Sequence, residues 1–173
     1  MERSLAARRA FEQALSKLSP ERCVYIDEAG VENTLDYAYG WSLKGKRCMA
    51  ERLGHFTQRV SMIAAWCQGK VFAPMTFTGY CDGRVVETWF ERVLGPTLKA
   101  GQVVILDNAS FHRKAKLQKL LEPLGCCLLA LPPYSPDLNY IEPLWNRIKA
   151  LISHHPDPDR PFRDKVDDAF CSL

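Results

Sequence analysis

Three carboxylates in this sequence stand where an apolar segment ends or begins. Asp27 follows the strand-forming run CVYI, and Asp107 follows the continuous apolar run VVIL. Glu142 opens a segment whose apolar residues recur at the spacing of one helix face. Taken singly, an Asp at a strand end is usually a turn or cap residue, and Glu142 forms a capping box with Asn139 just as readily. Two such Asp residues in one sheet, with a Glu on a helix that packs back on it, instead indicate a shared site.

The chemistry of such a site follows from its charge. Three carboxylates held together repel one another and do not all stay ionised without help. Hard divalent cations relieve that repulsion, and ligands that are all oxygen favour Mg²⁺ or Mn²⁺ over zinc. Two such ions about 3.5–4 Å apart can clamp the attacking and leaving oxygens of an in-line phosphoryl transfer. The predicted cofactor is therefore a pair of Mg²⁺ or Mn²⁺ ions.

The elements that must carry these residues begin with a helix and a set of strands. Residues 2–18 are amphipathic and predict a helix that ends at Ser19-Pro20. Strands are predicted at residues 23–27, 36–43, 59–67 and 71–77. Short connections between them, including Gln68-Gly69-Lys70, favour an antiparallel meander.

The pattern then changes to alternating helices and strands. Residues 85–94 predict a helix that Gly95-Pro96 ends, and residues 103–106 predict a strand buried on both faces. Ser110 is predicted to cap a basic helix that runs to about Leu121. Residues 126–131 predict the last strand, which Pro132-Pro133 ends before the helix that carries Glu142. This order predicts an α/β fold with a mixed sheet and helices on its faces.

Composition bounds the class of protein. A chain of 173 residues, 47% of them hydrophobic, can bury one good core. The net charge of +3 permits nucleic acid as a partner without demanding it. The seven cysteines are odd in number and contain no C-x-x-C, which favours reduced thiols in a cytoplasmic protein over a disulfide framework or a zinc knuckle. The amphipathic N-terminus lacks the apolar core of a secretory signal.

Three blocks together resemble the catalytic motifs of a known family: YIDEAG, VVILDNASFH and LPPYSPDLNYIEPLWNRIK. They are similar to those of bacterial insertion-sequence transposases related to mariner elements, in the DDE superfamily. Thirty-four residues, 108 to 141, separate Asp107 from Glu142, which is the spacing that this family uses. The resemblance covers residues 21–152 and implies a ribonuclease H-like, retroviral-integrase-like fold with a five-stranded or slightly extended mixed sheet and helices on both faces.

The resemblance also implies roles for single residues. Asp27, Asp107 and Glu142 become the catalytic, metal-binding triad, and His112 becomes a DNA or active-site contact, against the alternative of a solvated residue in a helix's first turn. Tyr134 and Asn139 are interpreted as loop-shaping residues, and Trp41 as core or strand-edge packing rather than a wedge that stacks on bases. The candidate DNA-binding residues are mostly cationic: Lys44, Lys46, Arg47, Asn108, His112, Arg113, Lys116 and Lys149.

The implied reaction is hydrolysis at transposon ends followed by strand transfer of the freed 3′-hydroxyl into target DNA, typically at TA, by a bacterial, cytoplasmic and nucleoid-associated homodimer. We predict an arm helix at residues 1–20, the catalytic domain at 21–155 and a polar tail at 156–173. Family members carry helix-turn-helix modules ahead of the catalytic domain, and nothing before Cys23 is long enough for one. A separate or fused helix-turn-helix polypeptide is therefore expected. A stand-alone nuclease of the resolvase type and a non-catalytic DNA-binding relic are the alternatives.

Overall fold

A computed structural model describes residues 4–33, 41–49 and 58–173. Most of the strand predicted at residues 36–43 lies outside these described residues. The part of it that is described, residues 41–43, is not in a strand.

A five-stranded mixed sheet forms the centre of the structure. Its strands are β1 (Cys23–Glu32), β2 (Arg59–Cys67), β3 (Lys70–Thr78), β4 (Val103–Leu106) and β5 (Cys127–Ala130), in the spatial order β3-β2-β1-β4-β5. The first three pair antiparallel, whereas β4 pairs parallel with both β1 and β5. The prediction of a mixed five-stranded sheet is confirmed. The two-residue turn at Gln68 and Gly69 has positive φ at both positions (48° and 81°), as a tight hairpin turn requires.

Five α-helices within the described ranges accompany the sheet. They are α1 (Leu5–Leu15), α2 (Gly83–Trp89), α3 (Lys114–Leu121), α4 (Glu142–Ser153) and α5 (Phe162–Cys171). The chain continues α2 as a π-helical turn over Phe90–Leu94, and short 3-10 turns lie at Pro20–Arg22, Gly95–Thr97, Glu122–Leu124 and Pro136–Leu138.

The prediction that Ser110 caps a helix is wrong. Helix α3 begins four residues later, at Lys114, and its N-cap is Arg113, which makes no side-chain cap. The residues between Asp107 and α3 instead form a loop that turns back on itself, with the N–H of His112 donating to the carbonyl of Ala109 at 3.0 Å. This loop turns the His112 side chain inward, and a helix that began at Ser110 would have removed the loop.

The core lies in two layers, one on each face of the sheet. On one face, Tyr25 and Ile105 pack with residues of α1, α4 and α5. On the other face, Ile26 and Leu106 pack with residues of α2 and α3. Neighbouring residues of β1 therefore belong to opposite layers, as the alternation of side chains along a strand requires. The prediction of helices on both faces is confirmed.

Both ends of the described chain pack on this domain. Phe11 of α1 is buried, and the Arg8 guanidinium pairs with both oxygens of Asp137 at 3.0 and 2.6 Å. In the segment predicted as a polar tail, α5 buries Val166 and Ala169 in the core layer that also contains α4. The division into arm, domain and tail stays a prediction. No helix among the described residues is long and apolar enough to cross a bilayer.

The packing of α5 predicts that it contributes to stability. Val166 is fully buried, so Val166→Ala leaves a cavity and should lower the free energy of unfolding by about 2 kcal/mol. Cys171→Ala, at an exposed position of the same helix, serves as the control and should change it little. Urea denaturation of both variants measures the difference. Equal values for the two would mean that α5 is not part of the folding unit.

Candidate active site

One cleft contains all three predicted carboxylates. Asp27, Asp107 and Glu142 line a cavity of about 480 Å³, together with residues 131–136 and Asn139. They come from three different elements: the middle of β1, the residue after β4 and the first residue of α4. No group of three or more His, Cys, Asp or Glu side chains in the described part of the chain is close enough to form a ready-made metal site. The carboxylates therefore share a cleft without converging on one point.

Asp27 is the most buried of the three carboxylates. Its Oδ1 accepts the N–H of Glu28 at 2.9 Å, and its Oδ2 accepts the indole Nε1–H of Trp145 at 3.0 Å. Burial raises the pKa of Asp27 to about 7, and the negative charges of Glu28 and Glu142 act in the same direction, although the bond from Trp145 opposes them. Asp27 is therefore a much weaker acid than an exposed aspartate.

Asp107 has the opposite electrostatic environment. Burial by itself would raise its pKa, but the contact with His112 and the N–H of Ala109 outweigh burial, and the pKa ends below its usual range. Ala109 donates to Oδ1 at 2.9 Å, and His112 Nδ1 lies 3.0 Å from the same oxygen. The His112 contact is an ion pair rather than a well-aligned hydrogen bond, since Nδ1 has no partner of good hydrogen-bond geometry. Asp107 is thus held ionised.

Glu142 does not form the capping box. The N-cap of α4 is Ile141, which makes no side-chain cap, and the N–H of Asn139 donates to the carbonyl of Pro136. Helix α4 buries Trp145 and Ile148 against the sheet. This packing leaves the half-buried Glu142 at the rim of the cleft with its carboxylate free of a capping role.

His112 and Glu28 form a pair that was only half predicted. The His112 side chain is buried, and its Nε2 lies 2.8 Å from Glu28 Oε1 while its Nδ1 faces Asp107. The alternative of a solvated histidine is therefore wrong, and the geometry favours the active-site contact over a direct contact with DNA. Burial lowers the pKa of His112, but the two carboxylates raise it further, to about 10. Sequence reasoning missed Glu28. The signal that could have found it is its place next to Asp27 on a strand, which puts its side chain on the opposite face of the sheet.

The loop after β5 lines the cleft with polar groups. Asn139 is buried, and its Oδ1 has no hydrogen-bond partner among the described residues. Ser135 is also buried and donates to the carbonyl of Pro133 at 3.2 Å. Tyr134 adopts a positive φ of 54°, which is unusual for a side chain of its size. These observations agree with the interpretation of Tyr134 and Asn139 as residues that shape the loop.

The candidate DNA-binding cations divide into two groups. Lys44, Lys46 and Arg47 lie exposed in or beside a turn, and Lys149 is exposed on α4. The exposed Arg113 and Lys116 both pair with the buried Glu87, at 2.6 Å each. The Glu87 carboxylate therefore offsets part of the positive charge of these two side chains.

Two further residues differ in what surrounds them. Asn108 donates to the carbonyl of Leu131 and accepts from Lys114, so its amide joins two loops beside the cleft. The expectation that Trp41 packs in the core or at a strand edge is wrong, because its side chain is fully exposed.

The three carboxylates fit a hard divalent cation. They supply only oxygen ligands, and a cation would favour the ionised form of Asp27, whose pKa is raised first by burial and then by the charges of Glu28 and Glu142. The carboxylates of Asp27, Asp107 and Glu142 would hold such an ion.

Comparison with known proteins decides the family. Residues 22–161 match the family model described as DDE superfamily endonuclease, which is more than half of the chain. The chain belongs to this family. This match confirms the prediction of a DDE-type enzyme. No curated protein matches its sequence.

Solved structures of DDE enzymes share the fold. The Mos1 transposase paired-end complex with left transposon end matches with a TM-score of 0.71 at 18% identity, over 100% of this chain and 57% of that one. The Mos1 transposase catalytic domain with Raltegravir and Mg matches at 0.59 and 16% identity, over 96% and 79%. The HTLV-2 integrase catalytic core domain in complex with magnesium matches at 0.55 and 12% identity, over 90% and 87%. The predicted ribonuclease H-like, integrase-like fold is confirmed.

The lengths differ in a consistent way. This DDE endonuclease chain spans about half the length of the Mos1 transposase chains seen in DNA complexes, at 52–57% of each. The match to the separate Mos1 catalytic domain, 79% of which is covered, indicates that the likeness concerns the catalytic part of those proteins.

The electrostatics of the cleft predict how Asp27 affects stability without metal. Because the folded-state pKa of Asp27 is about 7 and an unfolded Asp titrates near pH 3.9, ionising it costs stability progressively from about pH 4 to 7. Asp27→Asn removes this cost. Its free energy of unfolding, relative to that of the parent, should therefore rise by roughly 1–3 kcal/mol from pH 4.5 to pH 8 in EDTA. Urea titrations at the two pH values measure this difference. Asp159→Asn, at an exposed position, is the control, and a D27N difference that does not change with pH would contradict the assignment.

Proposed function

We propose that this chain is the catalytic domain of a DNA transposase that uses two divalent metal ions. One observation carries the proposal. In a member of the DDE endonuclease family, the three carboxylates that match the family's motif line one cleft, although they lie far apart in sequence. The proposed reaction is phosphodiester hydrolysis at transposon ends, followed by strand transfer into target DNA.

In this proposal Asp27, Asp107 and Glu142 are the catalytic residues and metal ligands. Bound Mg²⁺ or Mn²⁺ would activate the attacking water or 3′-hydroxyl and neutralise charge that develops on the phosphate. Magnesium and manganese complexes of the Mos1 transposase support a divalent metal here. The number of ions, two, is part of the proposal.

The residues around the carboxylates prepare them for this task. Trp145 and the Glu28 N–H each donate to one oxygen of Asp27, so that its carboxylate plane is fixed before any ligand arrives. The Ala109 N–H and His112 occupy Oδ1 of Asp107, and no described residue donates to Oδ2. One oxygen of Asp107 is therefore held by the protein while the other remains available to a ligand.

The proposed substrate is double-stranded DNA, both the transposon ends and a target that contains TA. The exposed cations Lys44, Lys46, Arg47 and Lys149 would meet its phosphates. Mos1 complexes that contain a transposon end or a strand-transfer product support a DNA partner. We further propose a homodimer in a bacterial cytoplasm, associated with the nucleoid when it acts, with recognition of the ends supplied by a separate or fused helix-turn-helix segment.

The proposal predicts the effect of removing each carboxylate. Asp27→Asn, Asp107→Asn and Glu142→Gln should each lower Mn²⁺-dependent nicking of supercoiled plasmid by at least about a hundredfold, because each removes several kcal/mol of charge stabilisation in the transition state. Each variant should remain folded. Asp159→Asn is the matched control. Wild-type nicking by any one of the three would remove that residue from the triad, and preferred cleavage of branched duplexes would favour a nuclease of the resolvase type.

A second prediction concerns DNA affinity. Contacts from Lys and Arg to phosphates are largely blind to sequence, so this chain should bind duplex DNA at roughly 10⁻⁴–10⁻⁶ M at physiological salt, without preference for a transposon end over scrambled DNA. Replacing Lys44, Lys46 and Arg47 together by Gln should reduce the steepness of the salt dependence by up to about three phosphate contacts. Competition gels over a series of salt concentrations test both points. A salt-resistant preference for the end would show that residues 1–173 read sequence by themselves.

A further inference from the structure

The two aspartates lie where the sheet no longer holds their strands together. Strands β1 and β4 pair in parallel from Cys23 with Val103 to Tyr25 with Ile105, and this pairing goes no further. Asp27 and Asp107 each stand two residues beyond the last pair. Backbone hydrogen bonds between β1 and β4 therefore do not set the separation of the two carboxylates. Some other contact must set it.

A buried imidazole spans this gap. His112 Nε2 lies 2.8 Å from Oε1 of Glu28 on β1, and His112 Nδ1 lies 3.0 Å from Oδ1 of Asp107 at the end of β4. The His112 side chain is 1% exposed and that of Glu28 is 10% exposed. We call this contact the Glu28–His112–Asp107 bridge.

The loop that presents His112 is short and internally bonded. Asp107 Oδ1 accepts the N–H of Ala109 at 2.9 Å, and the carbonyl of Ala109 accepts the N–H of His112 at 3.0 Å. The carbonyl of His112 then accepts the N–H of Lys114, the first residue of α3, at 2.8 Å. The imidazole is thus fixed from its own backbone, and it can transmit the position of β1 to Asp107.

Glu28 faces away from the cleft. Asp27 points to the layer of α4, where Trp145 binds it, whereas Glu28 points to the layer of α2 and α3. Glu28 does not line the cleft, and neither does His112. Neither residue is placed to touch a substrate; His112 contacts Oδ1 of Asp107, and Glu28 contacts His112 from the other side.

We propose that Glu28 and His112 are positioning residues for the metal site, which act by holding Asp107 at a set distance from Asp27. This inference rests on the proposed function, because it takes Asp107 as a metal ligand. Partners that orient a metal ligand are typically worth about 10–100-fold in metal affinity. Loss of the bridge should therefore weaken metal binding by about that factor, while affinity for DNA stays unchanged.

Substitutions at Glu28 separate position from charge. Glu28→Gln removes the charge but keeps a side chain of the same length, whose amide can accept from or donate to Nε2. Glu28→Asp keeps the charge but is one methylene too short to reach Nε2. Glu28→Ala removes both. Glu32→Ala is the matched control, since Glu32 lies on the same face of β1 and pairs with Arg59 at 3.2 Å, away from the cleft.

The measurement is Mn²⁺ binding to the full chain at low temperature, detected as the loss of the electron spin resonance signal of free Mn²⁺. Circular dichroism confirms that each variant is folded. We expect the Kd to rise about 10–100-fold in Glu28→Asp and Glu28→Ala and to stay within about threefold of the parent in Glu28→Gln and Glu32→Ala. His112→Ala should match Glu28→Ala, and the double variant should be no weaker than either, because all three break one bridge. A loss of stability alone would not change the Kd of the folded protein.

Three results would overturn the inference. If Glu28→Gln weakens binding as much as Glu28→Ala while Glu28→Asp does not, the effect is one of charge and not of position. If all Glu28 variants bind Mn²⁺ like the parent while Asp107→Asn binds weakly, the bridge has no positioning role and the proposed function stands. If Asp107→Asn and Asp27→Asn also bind like the parent, the proposed metal site itself is wrong and the bridge is left without a function. Glu28→Asp, the smaller change, decides the matter if Glu28→Ala does not fold.

Discussion

Repulsion between carboxylates is the constraint on which the rest of this structure depends. Asp27, Asp107 and Glu142 line one cleft, and Glu28 follows Asp27 on β1, so the fold must hold four acids within the same region. Two side chains compensate part of this charge: the Trp145 indole donates to Asp27, and the His112 imidazole faces Glu28 and Asp107. Burial, and after it the charges of Glu28 and Glu142, still raise the pKa of Asp27 to about 7, and a divalent cation would favour its ionised form.

The two faces of the sheet divide this task between them. The layer that contains α4 supplies Trp145 and Glu142 to Asp27, and the opposite layer supplies His112 to Asp107. Each layer is a closed hydrophobic core, so the groups that approach the cleft are held by rigid packing on both sides. The site lies at the edge where these layers meet, beyond the last backbone pair of β1 and β4.

Periodicity in the sequence predicted the five strands of the sheet, and strand ends together with the resemblance to the DDE motifs predicted the three carboxylates of the cleft. The runs CVYI and VVIL are unambiguous strands, and the apolar stripe of α4 is long enough to orient Glu142, so three distant carboxylates could be assigned to one site. The inward turn of His112 could not be predicted, because Ser110 looks like a helix cap and the loop is held by contacts with Glu28 across the sheet. The exposure of Trp41 escaped prediction for a similar reason: residue type alone indicates burial, and burial depends on neighbours distant in sequence.

The adjacency of Asp27 and Glu28 makes strand register part of the chemistry. A slip of β1 by one residue would exchange the faces of the two acids: the longer Glu28 would point toward Trp145, and Asp27 would fall short of His112. Eight consecutive residue pairs between β1 and β2, from Tyr25 with Trp66 to Glu32 with Arg59, oppose that slip. The antiparallel neighbour of β1, strand β2, contributes no residue to the cleft, yet it determines which acid enters it. Substitutions on β2, distant from the cleft, that loosen this alignment would consequently lower catalytic activity before they unfold the protein.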